Sequence, residues 1–118
     1  MRNAFSALVL TLIVISPAFG QKLQMEALKE KEPYFTLEDA MKNPNRVFRL
    51  NLSGKKLSEV PPEIFNFPNI QELDLSQNNI TVLPEGLERI KFLQMLNLSQ
   101  NKIDSITPKI SQITHLKV

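Results

Sequence analysis

The apolar residues in the second half of the chain recur in columns with a spacing of 23 positions. From Val47 onward, three consecutive units align one below the other, and a fourth starts at Leu116. Seven positions of the unit are apolar in every copy, which is far beyond chance and indicates an internal repeat. The columns are Leu50, Leu73, Leu96; Leu52, Leu75, Leu98; Leu57, Ile80, Ile103; Val60, Leu83, Ile106; Ile64, Leu87, Ile110; Phe67, Ile90, Ile113; and Val47, Ile70, Leu93, Leu116.

Each unit changes its hydrophobic period half-way along. Leu50 and Leu52 alternate with polar residues as in a strand, so we predict that the leucines point inward and their neighbours outward. Further on, Ile64 and Phe67 are three positions apart, the spacing of one face of a short helical turn. Prolines introduce these turns, because their fixed φ suits a first helical position. They are Pro61, Pro62, Pro84 and Pro108.

These columns resemble the 23-residue form of the leucine-rich repeat family, from Val47 to Val118. The resemblance implies an α/β fold: a short solenoid with parallel strands on its concave face and helical turns on its convex face. It also implies an asparagine between strand and turn whose amide satisfies backbone groups and stacks along the coil. Asn78 and Asn101 match that position. Lys55 occupies it in the first unit, so we expect the asparagine ladder to begin at the second repeat.

A short capping helix is predicted before the repeats. Thr36 suits an N-cap, and Asn43-Pro44 ends the helix because proline lacks an amide donor and disfavours helical geometry in the residue before it. We therefore expect a helix from Leu37 to about Lys42, at the end of a polar lead-in over residues 21–46, that covers the edge of the first repeat. The side chains expected to face that repeat are Leu37, Ala40 and Met41.

Residues 1–20 have the features of a secretory signal. Arg2 supplies positive charge, an apolar stretch follows from Ala4 to Ile15, and Ala18 and Gly20 occupy the small-residue positions of a cleavage site. That stretch is shorter than the about 20 residues required to span a membrane. We expect cleavage before Gln21 and export to the secreted, periplasmic or cell-surface fraction, without stable membrane insertion afterwards. An uncleaved anchor is the alternative, and the resemblance is to exported bacterial members of the family.

The composition leaves few chemical functions open. The 14 Lys and Arg residues are interleaved with 12 Asp and Glu residues, so no basic patch indicates a nucleic-acid partner. The chain has no cysteine, which excludes a disulfide framework. His115 is the only histidine and has no acidic cluster with metal-ligand spacing around it. We therefore predict no enzyme activity and no cofactor or metal site.

The outward positions of the strands form the candidate binding surface, because leucine-rich repeat proteins usually bind other proteins through the concave face. Glu72 and Asp74 are two apart on one strand, hence about 7 Å apart, a spacing that in principle suits acid–base work or a weak calcium site. Because no pocket-forming insertion surrounds them, a solvated or partner-facing pair is favoured. Val118 is expected next to Met95 in the fourth strand. We predict a non-catalytic protein–protein interaction module with a protein partner. The proposed contact residues are Arg49, Asn51, Glu72, Asp74, Met95 and Asn97.

The last repeat is expected to leave an apolar end uncovered, since only Leu116 to Val118 follow it. An exposed apolar edge strand favours pairing with another chain. Two further interpretations therefore stay open: a structural solenoid that associates with itself through this end, and a truncated fragment of a longer array. The side chains expected at this end are Ile103, Ile106, Ile110, Ile113, Leu116 and Val118.

Overall fold

The computed structural model describes residues 25–113 and 115–118. The predicted signal over residues 1–20 and the start of the lead-in, residues 21–24, lie outside the described residues. Among the described residues, two helices precede the repeats, α1 (Met25–Lys29) and α2 (Leu37–Lys42), with a 3₁₀ segment at Pro44–Arg46. The strands are β1 (Arg49–Asn51), β2 (Glu72–Asp74), β3 (Met95–Asn97) and β4 (His115–Lys117). Between them lie three 3₁₀ helices: turn 1 (Pro62–Asn66), turn 2 (Leu87–Arg89) and turn 3 (Pro108–Gln112).

The four strands form one parallel sheet in the order β1-β2-β3-β4. In the first three, the central leucine is buried and both neighbours are half-buried, the alternation that the Leu-x-Leu pattern predicts. Leu50 pairs with Leu73, and Leu73 with Leu96, so the inward leucines stack in one row. The three turns lie on the opposite side of the chain's coil. The predicted α/β solenoid is therefore confirmed.

The hydrophobic core lies between the sheet and the turns. Ile80 in the middle repeat is fully buried, whereas Leu57 and Ile103 in the outer repeats are only partly buried, because each outer repeat is covered less completely. Each buried Leu, Ile or Phe side chain contributes about 1.5–3 kcal/mol, which a chain without disulfides needs. The largest members of this core, all at most 2% exposed, are Leu50, Leu52, Ile64, Phe67, Ile70, Leu73, Leu75, Ile80, Leu87, Leu96 and Leu98.

The capping helix α2 has the predicted bounds. Its N-cap is Thr36, whose Oγ1 accepts a hydrogen bond from the Asp39 backbone N at 3.1 Å. Ala40 is fully buried and Leu37 packs against the core, as predicted. Met41 is 43% exposed, so its predicted place at the interface was wrong. It lies about 100° of helical rotation beyond Ala40, on the outer side of the helix.

An extended segment of the lead-in also covers the first repeat. The backbone N of Tyr34 donates to the Arg49 oxygen at 2.9 Å, and the Asn51 N donates to the Tyr34 oxygen at 2.8 Å. This parallel bridge occupies the edge of β1 that would otherwise be unpaired. Further upstream in α1, Leu28 is 1% exposed. The lead-in is thus a packed part of the described fold rather than only a surface segment.

The fourth strand corrects the predicted register. Leu116 pairs with Leu96, which it follows by 20 positions instead of 23. The third unit is therefore three residues shorter than the others, and His115 rather than Val118 lies beside Met95. The signal was present in the sequence, because Ile113-x-x-Leu116-x-Val118 repeats the spacing of Leu93-x-x-Leu96-x-Leu98. A fixed 23-residue period concealed it.

The asparagine ladder begins at the second repeat, as predicted. Asn78 Oδ1 accepts from the backbone N of Lys55 at 2.9 Å and of Leu57 at 3.0 Å, both in the first repeat. Its Nδ2 donates to the carbonyl oxygens of Leu52, Leu75 and Ser76. Asn101 joins the next two repeats in the same way: Oδ1 accepts from Ile80 N, and Nδ2 donates to Leu75, Leu98 and Ser99.

Replacing Asn78 by alanine removes partners from several backbone groups at once. We expect Asn78→Ala to lower the free energy of unfolding by about 3 kcal/mol, because each buried group left unsatisfied costs about 1–3 kcal/mol. Urea denaturation followed by circular dichroism measures the change. The exposed neighbour Asn79 is the matched control, and Asn79→Ala should stay within about 0.5 kcal/mol of wild type. Equal losses for the two variants would contradict a ladder that depends on Asn78.

Candidate functional site

Eight side chains point outward from the four strands and form one face, which we call the concave surface. The parallel register aligns them in two rows across the sheet. This surface contains a recess of about 350 Å³, and Pro33 of the lead-in also lines it. All six residues predicted from the sequence lie here, and the shortened third repeat adds His115 and Lys117. The rows are Arg49, Glu72, Met95, His115 and Asn51, Asp74, Asn97, Lys117.

Arg49 and Glu72 form an ion pair with each other. The Arg49 Nε donates to Glu72 Oε1 at 2.7 Å, and the two side chains are 26% and 25% exposed. Arg49 Nη1 also donates to the carbonyl oxygen of Lys31 at 3.0 Å, which ties the lead-in to the sheet. The two charges therefore compensate each other on the free surface. A partner would therefore contact a neutral pair rather than the two separate contact residues predicted from the sequence.

The second row of the concave surface also stabilises the backbone after the strands. Asp74 Oδ1 accepts from the backbone N of Ser76 at 2.9 Å and from its Oγ at 2.6 Å. Asn51 with Ser53 and Asn97 with Ser99 make the same pair of hydrogen bonds. These bonds fix the turns where β1, β2 and β3 end, as short polar side chains commonly do. The repeated serines Ser53, Ser76 and Ser99 are thus part of the scaffold.

Asp74 and Lys117 are the uncompensated charges of the concave surface. Within residues 25–113 and 115–118, the ion pairs are Lys42–Asp39, Arg49–Glu72 and Arg89–Glu88, none of which includes these two. Two strand spacings separate β2 from β4, so the backbones at Asp74 and Lys117 lie about 10 Å apart. Asn97 lies between them on β3, and Met95 lies beside Asn97 in the other row. The row therefore changes from negative to positive across an amide, with an apolar side chain next to it.

The acidic pair Glu72 and Asp74 is held by neighbours rather than free to act together. Arg49 binds the Glu72 carboxylate, and Ser76 binds one oxygen of Asp74. In the part of the chain that the structure describes, no group of three or more His, Asp and Glu side chains is placed to hold a metal ion. The geometry suits recognition of polar groups through hydrogen bonds.

The end of the solenoid at β4 is less apolar than predicted. Ile110 and Ile113 are 2% and 6% exposed, since they point into the core rather than along the open end. Ile103 and Leu116 are partly buried against that core. Only Ile106 and Val118, at 36% and 63% exposure, present substantial apolar surface.

No helix among the described residues is long and apolar enough to cross a membrane.

A family model described as leucine rich repeat matches residues 45–103, which is half of the chain. Together with the parallel sheet, the convex turns and the asparagine ladder, this shows that the chain belongs to the leucine-rich repeat family. Members of the family are generally non-catalytic modules for protein–protein interaction.

Among solved structures, the fold is similar to that of a leucine-rich repeat protein from Leptospira interrogans. The TM-score is 0.66 and the sequence identity is 36%, over 74% of this chain. The match covers 23% of the Leptospira protein, so this chain spans about a quarter of that protein's length. A search of curated proteins found no match.

Proposed function

We propose that this protein is an exported, non-catalytic interaction module that binds a partner protein through the concave surface. One observation carries the proposal: the four strands align eight outward side chains along one recess, while their inward residues are all apolar. The family membership supports a binding role. The hydrogen bonds that Asn51, Asp74 and Asn97 accept from serines hold the surface in shape before binding, which reduces the entropy lost on association.

The chemistry of the surface defines the kind of partner it suits. Asp74 favours a cationic group, Lys117, two strands away, favours an anionic group, and Met95 in the neighbouring row offers a flexible apolar contact. Four strands at about 4.8 Å spacing make the surface only about 15–20 Å wide. A standard interface buries about 800 Å² on each partner. We therefore expect modest affinity unless neighbouring loops add contact area.

A charge-removing variant tests the concave surface without disturbing its turns. Asp74→Asn keeps the Oδ1 acceptor for Ser76, since Asn51 and Asn97 make the same bonds in the other repeats. Combined with Lys117→Gln, it should weaken binding of a partner isolated with the wild-type protein by about tenfold, measured by biolayer interferometry. Lys102→Gln, at an exposed site outside the recess, is the control. Unchanged affinity in the double variant would place binding elsewhere.

Export rests on the sequence of residues 1–20, which has a charged start, an apolar stretch and a small-residue cleavage site. We expect intact-mass spectrometry of the native protein from the exported fraction to show a chain that starts at Gln21. A chain that retains Met1 and partitions with membranes would instead support an anchor, and one that retains Met1 in the cytoplasm would refute export.

Self-association through the β4 end is the second candidate function. Val118 is 63% exposed there, Ile106 is 36% exposed, and no described strand pairs with the outer edge of β4. This candidate predicts a concentration-dependent dimer in light scattering that Ile106→Glu abolishes. Because Ile106 is already exposed, the variant should stay folded, whereas a charge at the buried Ile110 would disrupt the core. A wild-type protein that stays monomeric at millimolar concentration would contradict this candidate function.

A further inference from the structure

A second recess lies on the convex face, between turn 1 and turn 2. Its volume is about 490 Å³, larger than the recess of the concave surface. Phe65, Phe67, Pro68 and Ile90 provide apolar lining, and we call it the convex groove. The volume falls within the about 300–1,000 Å³ typical of binding pockets. No part of the concave surface contributes to it.

The convex groove lies where turn 2 is shorter than its neighbours. Turns 1 and 3 have five residues each, whereas turn 2 has three. The cause is Gly86, which stands where Glu63 stands in the first repeat and adopts a φ of 101°, so the helical turn starts only at Leu87. A Cβ at Gly86 would lie 3.7 Å from the Phe65 ring. Glycine thus both shortens the turn and leaves open the space beside that ring.

Phe65 is an exposed aromatic residue that the repeat does not require. Its side chain is 44% exposed, and the equivalent positions of the next two repeats hold Glu88 and Ser111. Phe67, two residues on, is 1% exposed and belongs to the core. A partly exposed aromatic ring beside a recess with an apolar floor is the arrangement that concentrates binding energy at protein interfaces.

The rim of the convex groove carries more positive than negative charge. Arg89 and Lys91 line it, against the single carboxylate of Glu85. Glu88 lies 3.9 Å from Arg89, but it is not among the lining residues, and the Arg89 side chain is 77% exposed. An ion pair at 3.9 Å with the arginine side chain largely in solvent contributes little, so it leaves the Arg89 guanidinium available to a ligand. Lys91 Nζ lies 5.1 Å from the centre of the Phe92 ring, which places the ammonium close to the surface of the chain.

We propose that the convex groove binds a segment of a partner protein in which a bulky apolar side chain stands beside carboxylates. The apolar side chain contacts Phe65 and Ile90, and the carboxylates face Arg89 and Lys91. This site is separate from the concave surface and does not depend on it. The module therefore has one candidate binding surface on each face.

The test is a nuclear magnetic resonance titration of the ¹⁵N-labelled protein with blocked tripeptides. Acetyl-Glu-Trp-Glu-amide should cause saturable shifts at amides of turn 1 and turn 2. Acetyl-Lys-Trp-Lys-amide should bind about tenfold more weakly because of the rim charge, and acetyl-Glu-Ala-Glu-amide should cause no saturable shift. No saturable shift with the first peptide at millimolar concentration overturns the proposal, as do equal affinities for the Glu and Lys peptides. Shifts confined to β1 to β4 also overturn it, because they place the peptide on the concave surface.

Matched variants locate the binding site. Phe65→Ser introduces the residue that the third repeat has at this position, and should weaken the Trp peptide about tenfold. Phe35→Ser, at a ring that is 56% exposed near the capping helix, should leave binding unchanged. The double variant Arg89→Glu with Lys91→Glu changes only exposed side chains and should reverse the preference between the Glu and Lys peptides. An unreversed preference contradicts the proposal even if Phe65→Ser fails to fold.

Discussion

The side-chain amide of Asn78 hydrogen-bonds to the backbone of two consecutive repeats at once. Its oxygen accepts from Lys55 and Leu57 in the first repeat, and its nitrogen donates to Leu52 in the first and Leu75 in the second. Buried backbone groups need partners, and a chain that bends between strand and turn cannot supply them itself. Asn101 repeats the arrangement one unit later. The stacking of the first three repeats, and so the surfaces built on them, depends on this ladder together with the pairing of the strands.

The two candidate binding surfaces arise from this scaffold in different ways. The concave surface follows the repeat: strand alternation sends every second side chain outward, and parallel register aligns residues such as Asp74 and Asn97. The convex groove follows a departure from the repeat, because Gly86 shortens turn 2 beside Phe65. The buried columns are apolar in every repeat, so the outward positions are free to differ. On the concave side they form a regular array, and on the convex side one irregular turn forms the groove.

The polar contacts show why a list of outward residues is not yet a binding site. Arg49 and Glu72 are 23 positions apart and look like two independent charges in the sequence, but the sheet makes them neighbours. Their ion pair removes them from the free charges of the concave surface and leaves Asp74. In the same way, Lys117 joins that surface only because the third repeat is shorter. Both changes depend on which strand residues are paired.

The sequence by itself determined the inward leucine columns, the capping helix at Leu37–Lys42 and the ladder position of Asn78, because each depends on local spacing and side-chain chemistry that repeat along the chain. Only the tertiary structure decided which of two possible registers β4 adopts, how exposed Met41 is, and that the convex groove opens. The physical reason is that these features depend on how one repeat packs on the next. A periodic pattern predicts that neighbouring repeats will stack. Where the sequence departs from that pattern, at Gly86 and after Ile113, packing decides which residues meet.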